Sequence, residues 1–304
     1  MRKGILLFAA MTGVMSLCPL NILDAQIQSG TDRVATTSEV EVTGEALPGV
    51  LAQETATGPY GQPEWTTARV FGASRIYVLP TGRVEFVHFW APEFSDHTVS
   101  HTFREEVEIG LPNRLQLDLY QNWGIDENAF YKGSSVELRY ALANWGKIPL
   151  NPTLYAEWYF NDRTADAYEL KLLLGDTYAH RWNWAANLTF EKETGGNRET
   201  EIAASGALSY ALIDRKLNLG VEILGEHVTA KDSRAGAEIE FLIGPTVNVH
   251  PTRNSFLTLS PLFGTTKHSP TAEIFVAAGF QIQFGSSSVS SEESPHVPLS
   301  MFGR

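Results

Sequence analysis

The sequence predicts an all-β fold: an up-and-down antiparallel transmembrane β-barrel of about twelve strands, over residues 83–285. Three observations predict it. Apolar and polar residues alternate through a run of consecutive segments that leaves no room for helices. The connections between the segments alternate in length. Trp and Tyr gather near the segment ends.

The segments run at about 83–91, 101–111, 115–123, 134–144, 151–160, 166–175, 181–191, 199–212, 216–228, 235–249, 254–264 and 271–284. RIYVL at 75–79 is a further short element before the first. Tight turns follow the even-numbered segments: LPNR, GKIPLN, DTYAHR, IDRK and HPTRN. Longer polar links such as SDHT, IDENAFYKG, EKETGGNRE and TAKDSRAG follow odd-numbered ones. Outer-membrane barrels have an even strand number, short periplasmic turns and longer outer loops. The phase of the pattern puts both termini in the periplasm.

Alternation gives each segment two faces, and a slip of one residue would exchange them. In EEVEIGLPNRLQLDLYQNW (105–123), Leu115, Leu117 and Leu119 share one side while Gln116, Asp118, Tyr120 and Asn122 share the other. A soluble sandwich alternates in the same way. Most segments here, however, are about 9–14 residues, longer than the usual globular strand. Trp90, Trp123, Trp145, Trp158 and Trp182 fall where a headgroup-level girdle belongs, with Tyr131, Tyr159 and Tyr178. The polar face is also heavily charged. The leucines therefore face lipid, and the ionised side faces a lumen.

The ends have a different character. Met1-Arg2-Lys3 followed by GILLFAAMTGVMSL reads as a signal peptide over residues 1–25, cut after Ala25. The one cysteine, Cys18, leaves with it, so no disulfide framework remains. Residues 26–82 read as a largely disordered periplasmic segment, and 286–304 as a disordered tail. Within the first, SEVEVTGE (38–45) is either a leader without structure or a strand offered to the periplasmic partner TonB. The net charge of −12 argues against nucleic acid as a partner. No apolar run beyond the signal is long enough for a membrane helix.

Twelve acids fall on the polar face: Glu106, Glu108, Asp118, Glu137, Glu157, Glu169, Glu191, Glu201, Glu222, Glu238, Glu240 and Glu273. Arg104, Arg139, Lys171 and Arg181 stand against them. Rings of carboxylates favour cations in a water-filled passage. Acids and bases paired across strands would instead fill the lumen as a polar core. At about twelve strands the width decides neither. No cofactor or metal is predicted. Asp96-His97 is either an acid–base pair with Asp162 or Asp232 or a hydrophilic loop tip, and the second reading is favoured; no Gly-x-Ser-x-Gly elbow exists, so no enzyme is predicted.

GPYGQPEWTT (58–67), EEVEIGLPNRLQLDLYQNW (105–123), SVELRYALANWGKIPLNPTLYAEWYF (135–160), YELKLLLG (168–175), FLIGP (241–245) and SPLFGTT (260–266) together resemble an uncharacterised family of Gram-negative outer-membrane β-barrel proteins. The chain is more loosely similar to outer-membrane transporters associated with phenol degradation. The resemblance implies fold and location over most of residues 58–285, and names no ligand. Gly279, Ile282 and Phe284 resemble the end-strand signal read by the barrel-assembly machinery. Outer-membrane lipid and that machinery are thus the implied partners, with a small cationic or aromatic solute if the lumen conducts. A non-conducting structural or partner-binding barrel is the alternative. The mature chain should need detergent to stay monomeric and folded after extraction, as checked by size-exclusion chromatography with and without it.

Overall fold

The computed structural model describes residues 51–95, 98–125, 129–231 and 237–284. The proposed signal peptide, SEVEVTGE, and the tail from 286 lie outside these residues, as do Asp96, His97 and Asp232. Two short strands come first, β1 (Ala56–Thr57) and β2 (Gln62–Pro63), paired with each other. Then follow β3 (Arg83–Ser95), β4 (Thr98–Leu111), β5 (Leu115–Ile125), β6 (Ala129–Ala141), β7 (Thr153–Asn161) and β8 (Ala167–Tyr178). The wall continues with β9 (Trp182–Glu193), β10 (Thr200–Ile213), β11 (Leu217–Thr229), β12 (Glu238–Thr252), β13 (Ser255–Gly264) and β14 (Ala272–Gln283). β3 to β14 form a closed antiparallel barrel in which each strand pairs with its sequence neighbours, and β14 closes on β3. The fold is all-β with twelve wall strands, and each expected segment has a strand.

Arg83 and Gln283 face each other across the closing seam, so the wall begins and ends at one rim. The short turns after β4, β8, β10 and β12 share that rim, which is the periplasmic one by the rule for outer-membrane barrels. Asn113, Arg114, Ala179, His180 and Arg215 take positive φ there. Residues with such backbones let these hairpins turn within two or three positions.

The outer surface is apolar. Leu170, Leu188 and Ile202 are about half exposed, as are Leu154 and Phe263. Nothing among the described residues covers them, and a wall surface of this kind is stable in acyl chains. Aromatics mark its two edges. Trp90 stacks on Phe103, Trp123 packs on Tyr131 and Trp158 stacks on Tyr168 toward the loop end. Trp182 packs edge-on against Tyr210 at the turn end. His88 and Glu105 form an exposed pair at 2.7 Å, a polar exception within this belt.

Trp145 differs from its expected place in the girdle. The β6–β7 connection folds across the turn-end mouth, and Trp145 packs edge-on against Trp65 and Tyr77 at 6.3 and 5.2 Å. Those partners belong to the segment before β3, where the larger difference lies. Residues 51–82 are packed inside the barrel rather than being an open tail. Tyr60, Trp65, Val70, Phe71, Ile76, Tyr77 and Val78 bury themselves against Ala141, Ala185 and Ala207 of the wall. Small inward residues on the wall make room for this apolar bulk. RIYVL forms no strand; it runs back along the wall to Gly82.

Leu188→Arg on the outer face should cost about 2–4 kcal/mol if it lies near the bilayer midplane. Reversible urea unfolding in lipid vesicles measures it.

Candidate functional site: a plugged, acid-lined lumen

Strand register brings the inward acids into a pattern that the sequence does not display. Glu85 faces Glu108, which faces Asp118, which faces Glu137. Glu137 faces Glu157, Glu157 faces Glu169, Glu169 faces Glu191, and Glu191 faces Glu201. One row of eight carboxylates thus crosses eight successive strands. Barrel strands tilt, so a row across them winds from one rim to the other. It starts at Glu85, close to the turn-end start of β3, and finishes at Glu201, close to the loop-end start of β10.

Like charges directly opposite each other on a sheet repel. The lower half of the row answers this with counter-charge and hydrogen bonds. Arg139 pairs with Asp118 at 3.0 Å and with Glu137. The Gln116 amide donates to Glu108 at 2.8 Å and to Asp118 at 2.9 Å. Tyr120 donates to Glu137, and Tyr155 and Tyr159 donate to Glu157. Arg104 reaches across from β4 to Glu157 at 2.7 Å, its guanidinium over the Tyr120 ring. Lys171 meets Glu169 at 2.9 Å.

The remaining counter-charge comes from the internal segment. Arg75 contacts Glu106 at 2.8 Å and Glu108 at 3.0 Å, and Arg69 contacts Glu106 at 3.0 Å. Burial alone would lower Arg75, yet Glu106 and Glu108 hold it well above the usual guanidinium range. The segment's backbone is held as closely as its side chains. Asn187 accepts from the Arg75 N–H at 2.7 Å and donates to the Arg75 carbonyl at 2.8 Å, acting as a one-residue strand partner. Gln116 accepts the Leu79 N–H at 2.6 Å.

Glu222 is fully buried and takes three donors: Gly72 N–H at 2.8 Å, Ala73 N–H at 2.9 Å and the Ser260 hydroxyl at 2.6 Å. It anchors the tip of the segment. A side chain at position 72 would press on Phe275 and Ser260 at under 3 Å, so glycine is required where the tip meets the wall. Gly110 serves the same purpose on the return, where a Cβ would lie 2.1 Å from the Pro80 carbonyl. At the mouth, Trp65 donates to Thr177 at 2.8 Å and the Tyr60 hydroxyl donates to the Leu111 carbonyl at 2.7 Å. Burial pushes the Tyr77 phenol up to about 12, which keeps it a donor to Ala143.

The segment therefore enters at the turn end, rises to residues 72–75, and returns through the same mouth. It fills the periplasmic half of the lumen. The opposite wall there is apolar: Val87, Phe89, Leu224, Leu242, Phe256, Leu262 and Phe275 cluster with Ala68 and Ala73 of the segment packed on them. The loop-end half is left acidic and reached by solvent. Glu226 faces Glu240 and Glu273 faces Glu93. Among the described residues, Glu191, Glu201, Glu226, Glu240 and Glu273 have no ion-pair partner. Glu238 is exposed at the rim. Arg181 lies in the β8–β9 turn and donates to the Ala211 carbonyl at 2.8 Å, so it closes a turn.

The candidates from sequence thus divide. Glu106, Glu108, Asp118, Glu137 and Arg139 form the buried lower cluster, whereas the loop-end acids form an open vestibule. Glu85, Arg69 and Arg75 were missed. The hairpin through LPNR sets Glu108 opposite Asp118, and counting outward from such turns is the signal that aligns the row. No comparable signal pairs Arg75 with Glu106. Among the described residues no group of acids, histidines or cysteines is arranged to hold a metal.

A closed twelve-strand wall with a lipid-facing belt and aromatic edges defines a bacterial outer-membrane β-barrel in contact with lipid. No protein-family model matches the chain, and no curated protein does. Among solved structures it is similar to an outer membrane channel from Pseudomonas putida F1, at 12% identity and a TM-score of 0.51, over 68% of this chain and 97% of that one. It is also similar to the NanC porin, at 10% identity and a TM-score of 0.48, over 66% of this chain and 99% of the porin. At these identities the likeness is one of fold.

Arg75→Ala should cost about 3–5 kcal/mol, because it strips a buried cluster of its counter-charge. Arg75→Ala combined with Glu108→Gln, which leaves the Arg69–Glu106 pair in place, should recover part of the loss, read from unfolding in detergent.

Proposed function

We propose that the protein is a channel for small solutes, closed at rest by its own residues 51–82. One observation carries this reading: the segment's guanidiniums sit against the acidic wall as a passing cation would. Arg69 and Arg75 occupy Glu106 and Glu108, while Glu191 and Glu201, at the far end of the row, have no cation partner among the described residues. The acidic vestibule concentrates cations at the outer mouth, as rings of carboxylates do. The apolar wall opposite suits a flat or aromatic body. A small solute that is cationic, aromatic or both fits a passage with one charged and one apolar side. This is also the direction of the loose likeness to transporters associated with phenol degradation.

Ion pairs, side-chain-to-backbone hydrogen bonds and apolar contacts hold the segment's tip, and its short strands pair only with each other, so its release would leave the wall's own strand pairing intact. The end-strand residues suit the same picture. Gly279 lies against Phe256, and Phe284 donates its N–H to Gly82, next to where the segment joins the wall. Recognition of that strand by the barrel-assembly machinery remains part of the proposal, as do signal-peptide cleavage and any contact of SEVEVTGE with TonB.

Planar-bilayer recording tests the reading. The full chain should conduct rarely, and Arg69→Ala/Arg75→Ala should conduct more often with a cation-selective reversal potential. Glu191→Gln/Glu201→Gln placed on that background should reduce the selectivity. Silence of all three at every voltage would favour a structural or partner-binding barrel.

A further inference from the structure

The turn end holds a feature that passage of a cation leaves unused. Between the internal segment and strands β11 to β14 lies a cavity of about 470 Å³, within the range of small-molecule sites. Its charge is opposite to that of the vestibule. Arg83, Arg215, Lys216 and Arg253 line it, against Glu64 and Asp214 alone. Both acids are already engaged. Glu64 pairs with Arg215, and Asp214 accepts the Ala52 and Gln53 N–H groups at 2.8 and 3.0 Å. Among the described residues, the Arg83 guanidinium donates to neutral oxygens, those of Thr67 and Gln281. Among the described residues, Lys216 and Arg253 have no carboxylate within ion-pair distance.

Among the described residues, two buried amides on the same lining each leave one polar atom unpartnered. Gln53 and Asn218 are each 2% exposed; Nε2 of Gln53 donates to nothing, and Oδ1 of Asn218 accepts nothing. Polar atoms buried this deeply are nearly always satisfied, so an orphan donor beside surplus cations marks room for an acceptor. Apolar surface completes the lining, through Trp65, Pro251 and Phe256.

We propose that this cavity binds a small organic anion: a carboxylate with a compact apolar body. Arginine forks match a carboxylate in both oxygens, and the Gln53 amide adds a neutral donor. Trp65 and Phe256 cover the body, a surface that a bare inorganic anion would leave unused. Trp65 and Glu64 belong to the internal segment, whereas Lys216 and Arg253 belong to the wall, so the ligand bridges the two. An anion taking Arg215 also displaces Glu64 from it, which ties occupancy to the seating of the segment. The site stands whether or not the lumen conducts.

Isothermal titration of the folded full chain in neutral detergent tests it, with benzoate as probe and benzylamine as its cationic counterpart. Benzoate should bind one to one, and benzylamine should not. Lys216→Glu/Arg253→Glu should weaken benzoate at least about tenfold, and Lys216→Gln/Arg253→Gln less. Both pairs lie on exposed turns, and an unchanged heat-modifiable gel mobility confirms that the variants are folded. Equal binding of the two probes, an affinity insensitive to charge reversal, or no benzoate heat would each overturn the proposal. So would binding of phosphatidylglycerol in mixed micelles without binding of benzoate, since the cations would then serve a lipid headgroup.

Discussion

Carboxylates cannot be stacked inside a closed wall unless something positive, or something that donates hydrogen bonds, is stacked with them. That electrostatic constraint organises the protein. The wall itself supplies Arg139, Arg104 and Lys171, along with the phenols of Tyr120, Tyr155 and Tyr159. These leave Glu106 and part of Glu108 uncompensated, and Arg69 and Arg75 of the internal segment complete the balance. The acids inside the barrel and the segment inside the barrel are therefore one structure. Taking a charge out of water costs several kcal/mol per ion, and a partner offsets that only in good geometry. The nearly continuous hydrogen bonding of the lower row is that geometry.

The lumen is polarised along its axis and across it. Along the axis, a vestibule of free acids at the loop end gives way to a filled half and then to a basic rim. Across it, the charged wall of β4 to β9 faces an apolar wall from β11 to β14 and β3. A wide, uniformly hydrated pore has neither asymmetry. A selective passage benefits from both, since charge draws a solute in and surface shape decides what can stay.

Much of the wall was legible in the sequence, because a barrel strand has only two environments and alternation reports both. The turns LPNR, DTYAHR and IDRK fixed the hairpins, and Leu115, Leu117 and Leu119 declared the lipid side. The internal segment was not legible in this way. Its contacts join residues far apart in the chain, such as Trp65 with Thr177 and Arg75 with Glu106, and such pairs leave no period. Composition held a hint all the same: Tyr60, Trp65, Phe71, Ile76, Tyr77, Val78 and Leu79 are too apolar for a solvated tail. Trp145 misled for a related reason. A tryptophan near a strand end suits a headgroup, and only the path of the β6–β7 connection shows it turned inward instead.

Because the filling segment goes in and comes out through one opening, it is a tucked loop and not a threaded strand. The wall can close along the β14–β3 seam first and receive the loop afterwards, with no end pulled through a finished ring. The topology makes filling reversible in principle, and it makes the short stretch around Gly82 the pivot. Whatever order the cell uses, the hoop and its stopper are joined at the residue where the hoop is fastened.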